Sequence, residues 1–128
     1  MYSHVMLGSN DLERSKTFYD ALFTATGGRE GRVDPKGRLV YVNNGGILLI
    51  TKPIDGQAAT HGNGSTIGFA VDGPEQADAW EKAGVANGGT AIEDPPGRRG
   101  NEYGALYLAY LRDPDGNKLC ALHRLPDE

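Results

Sequence analysis

Tyr2-Ser3-His4-Val5-Met6-Leu7-Gly8-Ser9-Asn10-Asp11 and Gly64-Ser65-Thr66-Ile67-Gly68-Phe69-Ala70-Val71-Asp72-Gly73 decide the fold, because they read as two versions of one opening. Each is a short alternating strand that runs into a turn and then an amphipathic helix. Phe18-Tyr19 in the first helix and Trp80-Glu81 in the second stand at the same offset from those openings. Each half closes with Gly-rich turns and apolar strands, Asn44-Gly45-Gly46-Ile47-Leu48-Leu49-Ile50 and Asp115-Gly116-Asn117-Lys118-Leu119-Cys120-Ala121. A tandem unit of about sixty residues limits where a ligand can sit.

Working outward, Asn10 or Asp11 caps the first helix, whose buried stripe is Leu12, Ser15, Phe18, Tyr19 and Leu22, and Gly27-Gly28 ends it. Strands are expected at about 28–33, 38–43 and 46–52, joined by Asp34-Pro35-Lys36-Gly37 and Asn43-Asn44-Gly45-Gly46 turns. Residues 54–63 read as a polar linker. Pro74 opens the second helix, with Ala77, Trp80 and Ala83 on its apolar side. A strand near 89–93 leads into Asp94-Pro95-Pro96-Gly97-Arg98-Arg99-Gly100, too rich in Pro and Gly for regular structure. Strands at 104–112 and 117–123 flank the Asp113-Pro114-Asp115-Gly116 turn. The plan is strand, helix, three strands, twice: module one at about 1–53 and module two at about 64–125 of a single domain spanning 1–128.

Alternation assigns the faces. Val5 and Leu7, with Ile67, Phe69 and Val71, form the apolar sides that the helices must cover. Burying each such side chain contributes about 1.5–3 kcal/mol. The opposite sides carry His4 and Met6, and Thr66, Gly68 and Ala70. They are smaller and more polar, which leaves room for a concave binding surface.

Composition narrows the function classes. With 128 residues and 38% apolar content the chain can build one core. The net charge of −4 and the lack of a basic stripe argue against nucleic-acid binding. One cysteine excludes an intrachain disulfide and fits a reducing cytoplasm. No apolar run reaches membrane-spanning length, and the N-terminal residues do not read as a secretion signal.

The stretch His4 to Tyr19, the strand at 64–72 and Arg112-Asp113-Pro114-Asp115-Gly116-Asn117-Lys118 together resemble the vicinal-oxygen-chelate superfamily, the glyoxalase/bleomycin-resistance/dioxygenase proteins. The resemblance implies an α+β fold of two βαβββ modules forming a cup-shaped sheet, helices on the convex side, commonly completed by a homodimer. In metal-dependent members it further implies a divalent ion held by His, Gln or Glu from the first and last strands of each module. Carried onto this chain, those positions are His4, Leu49 or Ile50 depending on register, Thr66 where relatives have His, and Cys120 where they have Glu. A catalytic divalent site needs about three protein ligands and an open position. Here His4 is the only retained ligand-type residue, so no metal cofactor is expected.

The remaining candidates follow from residue chemistry. His4 reads as a polar wall residue, a general base or a ligand. Cys120 reads as a small buried residue, or as a nucleophile if a positive charge adjoins it. Tyr103, Tyr107 and Tyr110 offer an aromatic wall, although Tyr107 and Tyr110 have opposite parity. Arg98 and Arg99 could clamp a carboxylate or phosphate from the Pro-Gly loop. His61 reads as a loop residue and His123 as pointing away from Cys120. The expected ligand-binding set is therefore His4, Thr66, Cys120, Tyr107, Tyr110 and Arg98, in a protein that encloses a small molecule without chemistry. The alternatives are a metal-dependent glyoxalase-type lyase or isomerase, a dioxygenase relative, or a metal-independent enzyme using His4 or Cys120.

Overall fold

In a computed structural model of the chain, residues 1–102 and 104–126 are described, without the side chain of Asn101. Module one runs β1 (Val5–Gly8), α1 (Leu12–Ala25), β2 (Arg32–Val33), β3 (Leu39–Asn43) and β4 (Gly46–Thr51). Module two runs β5 (Ile67–Ala70), α2 (Pro74–Ala86), β6 (Thr90–Ala91), β7 (Gly97–Asn101), β8 (Gly104–Arg112) and β9 (Lys118–Arg124). The two units share the order β1-β4-β3-β2 and β5-β9-β8-β6, with the first strand parallel to the last in each. This is the expected duplicated α+β fold, with one difference. The segment read as an irregular loop contains β7, which pairs antiparallel with β8. The nine-residue β8 is longer than β6 can cover, and the Gly-rich chain takes its spare edge.

Local chemistry sets the elements. Asp11 caps α1 by accepting from the Arg14 N–H at 3.0 Å. Both helices stop in the same way: Gly27 and Gly88 take positive φ (+85° and +103°). The next N–H then reaches back, from Gly28 to the Phe23 carbonyl at 2.7 Å and from Gly89 to that of Gly84 at 2.8 Å. In module one, Asn44 and Gly45 (φ 49° and 78°) close the two-residue β3–β4 hairpin.

One core unites both modules. It draws on Phe18, Tyr19, Leu22 and Phe23 of α1 and Ala77 and Trp80 of α2. It also takes the alternate residues Leu39, Tyr41, Leu48 and Ile50 of one sheet and Ala109, Leu111, Leu119 and Ala121 of the other. The helices pack on each other, α1 against β3 and β4, α2 against β8 and β9. The helix pair is the middle layer, and no strand pairing joins the two sheets among the described residues. Their helix-free faces therefore lie on the outside of the chain, one on each module.

The Asp113–Asn117 turn fastens the modules together. Asp113, 4% exposed, accepts from the Tyr19 hydroxyl at 2.6 Å and the Asn117 side-chain amide at 2.8 Å. Asp115 accepts from the Asn10 N–H and Arg14 Nη2, both at 2.9 Å, and from the Ser15 hydroxyl at 3.3 Å. Burial, and then the charge and hydrogen bond of Asp113, push the Tyr19 hydroxyl well above its ordinary pKa, so it remains a donor.

Candidate functional site

Module one presents an open wall. Cross-strand register places Met6, Leu49 and Val40 in one row, with Val42 beside Ile47 and Arg32 beside Val40, all on the helix-free face. Met6 and Ile47 are each 41% exposed and Val42 60%. His4 precedes β1, is exposed, and its Nδ1 lies 2.8 Å from the Ser3 hydroxyl.

Module two presents a closed wall. Gly68, Cys120 and Tyr110 stand in one register row, followed by Ala70, Leu122 and Leu108. Leu106, Leu108 and Cys120 form a small buried cluster with Tyr110 and Leu122 packed on it. Burial pushes the Cys120 thiol above its ordinary pKa, against the opposing effect of its hydrogen bond with Tyr110. The neutral thiol is thus favoured, and Cys120 is not set up as a thiolate nucleophile. Burial, then the neighbouring Cys120, likewise raises Tyr110. Lys118 pairs with Glu93 and sits 5.0 Å from the Tyr110 ring centroid.

Parity divides the expected site residues. Tyr107 and Arg98 are cross-strand partners and stand on the helix side of their sheet, where Tyr107 donates to Asp78 at 2.7 Å. They do not share the face of Cys120 and Tyr110. His123 is also on that side, with Nδ1 3.2 Å from the Val71 carbonyl. Thr66 is exposed just before β5, in the module that holds Cys120 and not the one that holds His4. Tyr103 lies outside the described residues. Arg99, named beside Arg98 from the sequence but left out of the expected ligand-binding set, pairs with Leu106 and so belongs to the Cys120 face. Its guanidinium donates to the carbonyls of Gly97, Asp94 and Pro95 and ties the β6–β7 segment down. Recognising β7 would have exposed that parity. His61 is an exposed loop residue, as expected, with its ring beside Gly116 of the clasp turn.

Several clefts lie on or beside these walls, among them one of about 330 Å³ between β1 and the 60–67 segment. A cleft of about 250 Å³ at the seam is floored by Phe23, Tyr41, Leu48 and Phe69. A broader one, about 600 Å³, lies on the helix-free side of module one beside Val40, Val42 and Arg32.

The family model of the Glyoxalase/Bleomycin resistance protein/Dioxygenase superfamily matches residues 2–121. The chain belongs to this superfamily. It is 60% identical to a glyoxalase/bleomycin resistance protein from Albidiferax ferrireducens T118, over 97% of this chain and 99% of that one, with a TM-score of 0.93. A glyoxalase/bleomycin resistance protein/dioxygenase family enzyme from Burkholderia phytofirmans PsJN shares the fold at 18% identity, covering 96% and 98% of the two chains, with a TM-score of 0.70. Lactoylglutathione lyase from Agrobacterium tumefaciens shares it at 20% identity, covering 95% and 92%, with a TM-score of 0.65. No curated protein matches the chain.

Superfamily membership makes a divalent metal the natural question, and the donor set here does not fit one. Leu49 and Ile50 offer no donor. Cys120 is held as a buried neutral thiol, and Thr66 offers only a hydroxyl. Among the described residues no three His, Cys, Asp or Glu side chains converge as a metal cluster. Setting His4 of one module beside the Thr66 and Cys120 of another still leaves a single imidazole, short of the three ligands a catalytic ion takes. No helix of the described residues is long and apolar enough to cross a membrane.

Proposed function

We propose that this superfamily member binds a small molecule in a cavity that two copies complete, and that it does so without a catalytic metal. The observation that carries the reading is the contrast between the two helix-free walls. One is open and apolar, at Met6, Val42 and Ile47, and the other is already packed around Cys120 and Tyr110. They sit on the outside of one chain, so the open wall of one copy meets the packed wall of a second. The unpaired outer edges of β1 and β5 support this, because free edges accept another strand. An apolar cavity with few polar groups suits enclosure of a ligand. Metal-dependent proton transfer would require a carboxylate where Cys120 stands. A chain whose one cysteine is a free thiol also fits residence in the reducing cytoplasm.

The test is metal analysis of protein purified without chelator, followed by thermal-shift screening of small molecules with and without EDTA. The expected result is substoichiometric metal and a stabilising ligand whose effect survives EDTA, about 2.7 kcal/mol at a hundredfold excess over Kd. One divalent ion per site, with ligand binding lost on chelation, would overturn the reading.

A further inference from the structure

The 600 Å³ cleft on module one has a chemistry of its own. Its floor is Val40 and Val42, one end is the amide of Asn43, and Arg29 and Arg32 stand at its rim. Register puts Arg32 directly opposite Val40, on the helix-free face. The arginines of the chain divide sharply. Arg14 and Arg38 pair with carboxylates, and Arg99 and Arg112 bond carbonyl oxygens. Arg98 and Arg124 also engage other groups of the chain. Arg29 and Arg32 alone have no such partner among the described residues, and both line this one cleft. Glu30, between them in sequence, lines the same cleft and is exposed, and it makes no ion pair with either arginine among the described residues.

We propose that this cleft binds the oxyanion head, carboxylate or phosphate, of a small molecule whose apolar body lies along Val40 and Val42. The two guanidiniums supply charge-assisted hydrogen bonds of the kind that select an oxyanion over a neutral isostere. The proposal rests on the helix-free wall of module one being the ligand-facing one, and it sharpens the ligand class to amphipathic anions. Because module one supplies every group named, the site does not require a second copy.

Octanoate, octyl phosphate and 1-octanol, titrated into the full-length protein, separate the possibilities. Affinity is read by calorimetry and location by amide shifts at Val40, Val42 and Asn43. At least one anionic probe is expected to bind tenfold or more tightly than 1-octanol, to shift those amides, and to weaken as salt is added. The octanoate and octyl phosphate arms tell a carboxylate site from a phosphate site. Arg29→Gln and Arg32→Gln, both at exposed positions, should each weaken that probe about tenfold while leaving the melting temperature unchanged. Equal binding of 1-octanol, shifts confined to the seam cleft, or arginine variants that bind like the parent would each overturn the proposal. A protein that is monomeric yet shows the arginine-dependent shifts would refute the two-copy cavity and leave this site standing. A dimer without those shifts would do the reverse.

Discussion

Module one and module two were built to one plan and have spent their second faces differently. Towards the helices they match almost row for row: Val5, Leu48 and Tyr41 in one, Ile67, Leu119 and Leu111 in the other. Away from the helices they part. Module two adds β7 to the edge of β8, anchors it with Arg99, and packs Leu106, Leu108 and Cys120 to 7%, 8% and 5% exposure. Module one adds nothing and leaves a valine and an isoleucine in water. A duplicated unit must keep the face that makes the shared core and is free to change the other. The divergent face is where binding is to be sought.

The strongest way to break that comparison is at the seam that holds the modules together. Asp113→Ala should cost about 3 kcal/mol or more, because it strands the buried Tyr19 hydroxyl and the Asn117 amide at once. That loss should lower the melting temperature by about 10 °C in a chain of this size, and urea denaturation would measure it directly. A variant as stable as the parent would mean that the turn does not clasp the modules.

Matched glycines sharpen the comparison at a smaller scale. A methyl at Gly89 would meet Phe18 Cε1 at 2.4 Å and the Gly84 carbonyl at 2.9 Å. At Gly28 it would meet the Phe23 carbonyl at 3.0 Å. Gly89→Ala should therefore cost about 2 kcal/mol and Gly28→Ala about half that, again by denaturation. Equal costs would show that the two helix ends are packed alike.

The smallest effect is in pH. Tyr19, between modules, and Tyr41, within module one, both have pKa values raised first by burial and then by an acidic partner. A raised folded value means the stabilisation is complete below the unfolded value of about 10 and is lost as pH rises towards the folded one. Melting temperatures should fall above about pH 10, and Tyr19→Phe should flatten that fall. A slope unchanged in Tyr19→Phe would remove Tyr19 from the account.

Much of this was legible in the residues. Period-two alternation correctly set Val5, Leu7, Ile67 and Phe69 against the helices, since one face of each strand must leave water. The turn chemistry at Asn44-Gly45 and the helix stop at Gly27-Gly28 were local and therefore readable. β7 was not, because Gly97-Arg98-Arg99-Gly100 has no apolar period and pairs only where β8 offers a spare edge. Without β7 the two arginines could not be told apart by parity, which puts Arg99 and not Arg98 on the Cys120 face. The relation between modules was also hidden. A repeat reveals two copies of a unit but not which surfaces they turn to each other, so His4 and Cys120 could be aligned to one cup without sharing one chain's wall. Asp113 read as a turn residue because its partner Tyr19 lies far away in sequence.

The central claim, that one chain carries two different walls and a second copy supplies the match, is tested most directly by the mass of the protein in solution. Light scattering should give twice the 13.7 kDa of one chain, reverting to a single chain in Val42→Glu, which places a charge on the open wall without touching the core. A parent protein that stays at 13.7 kDa at micromolar concentration and above would contradict the account.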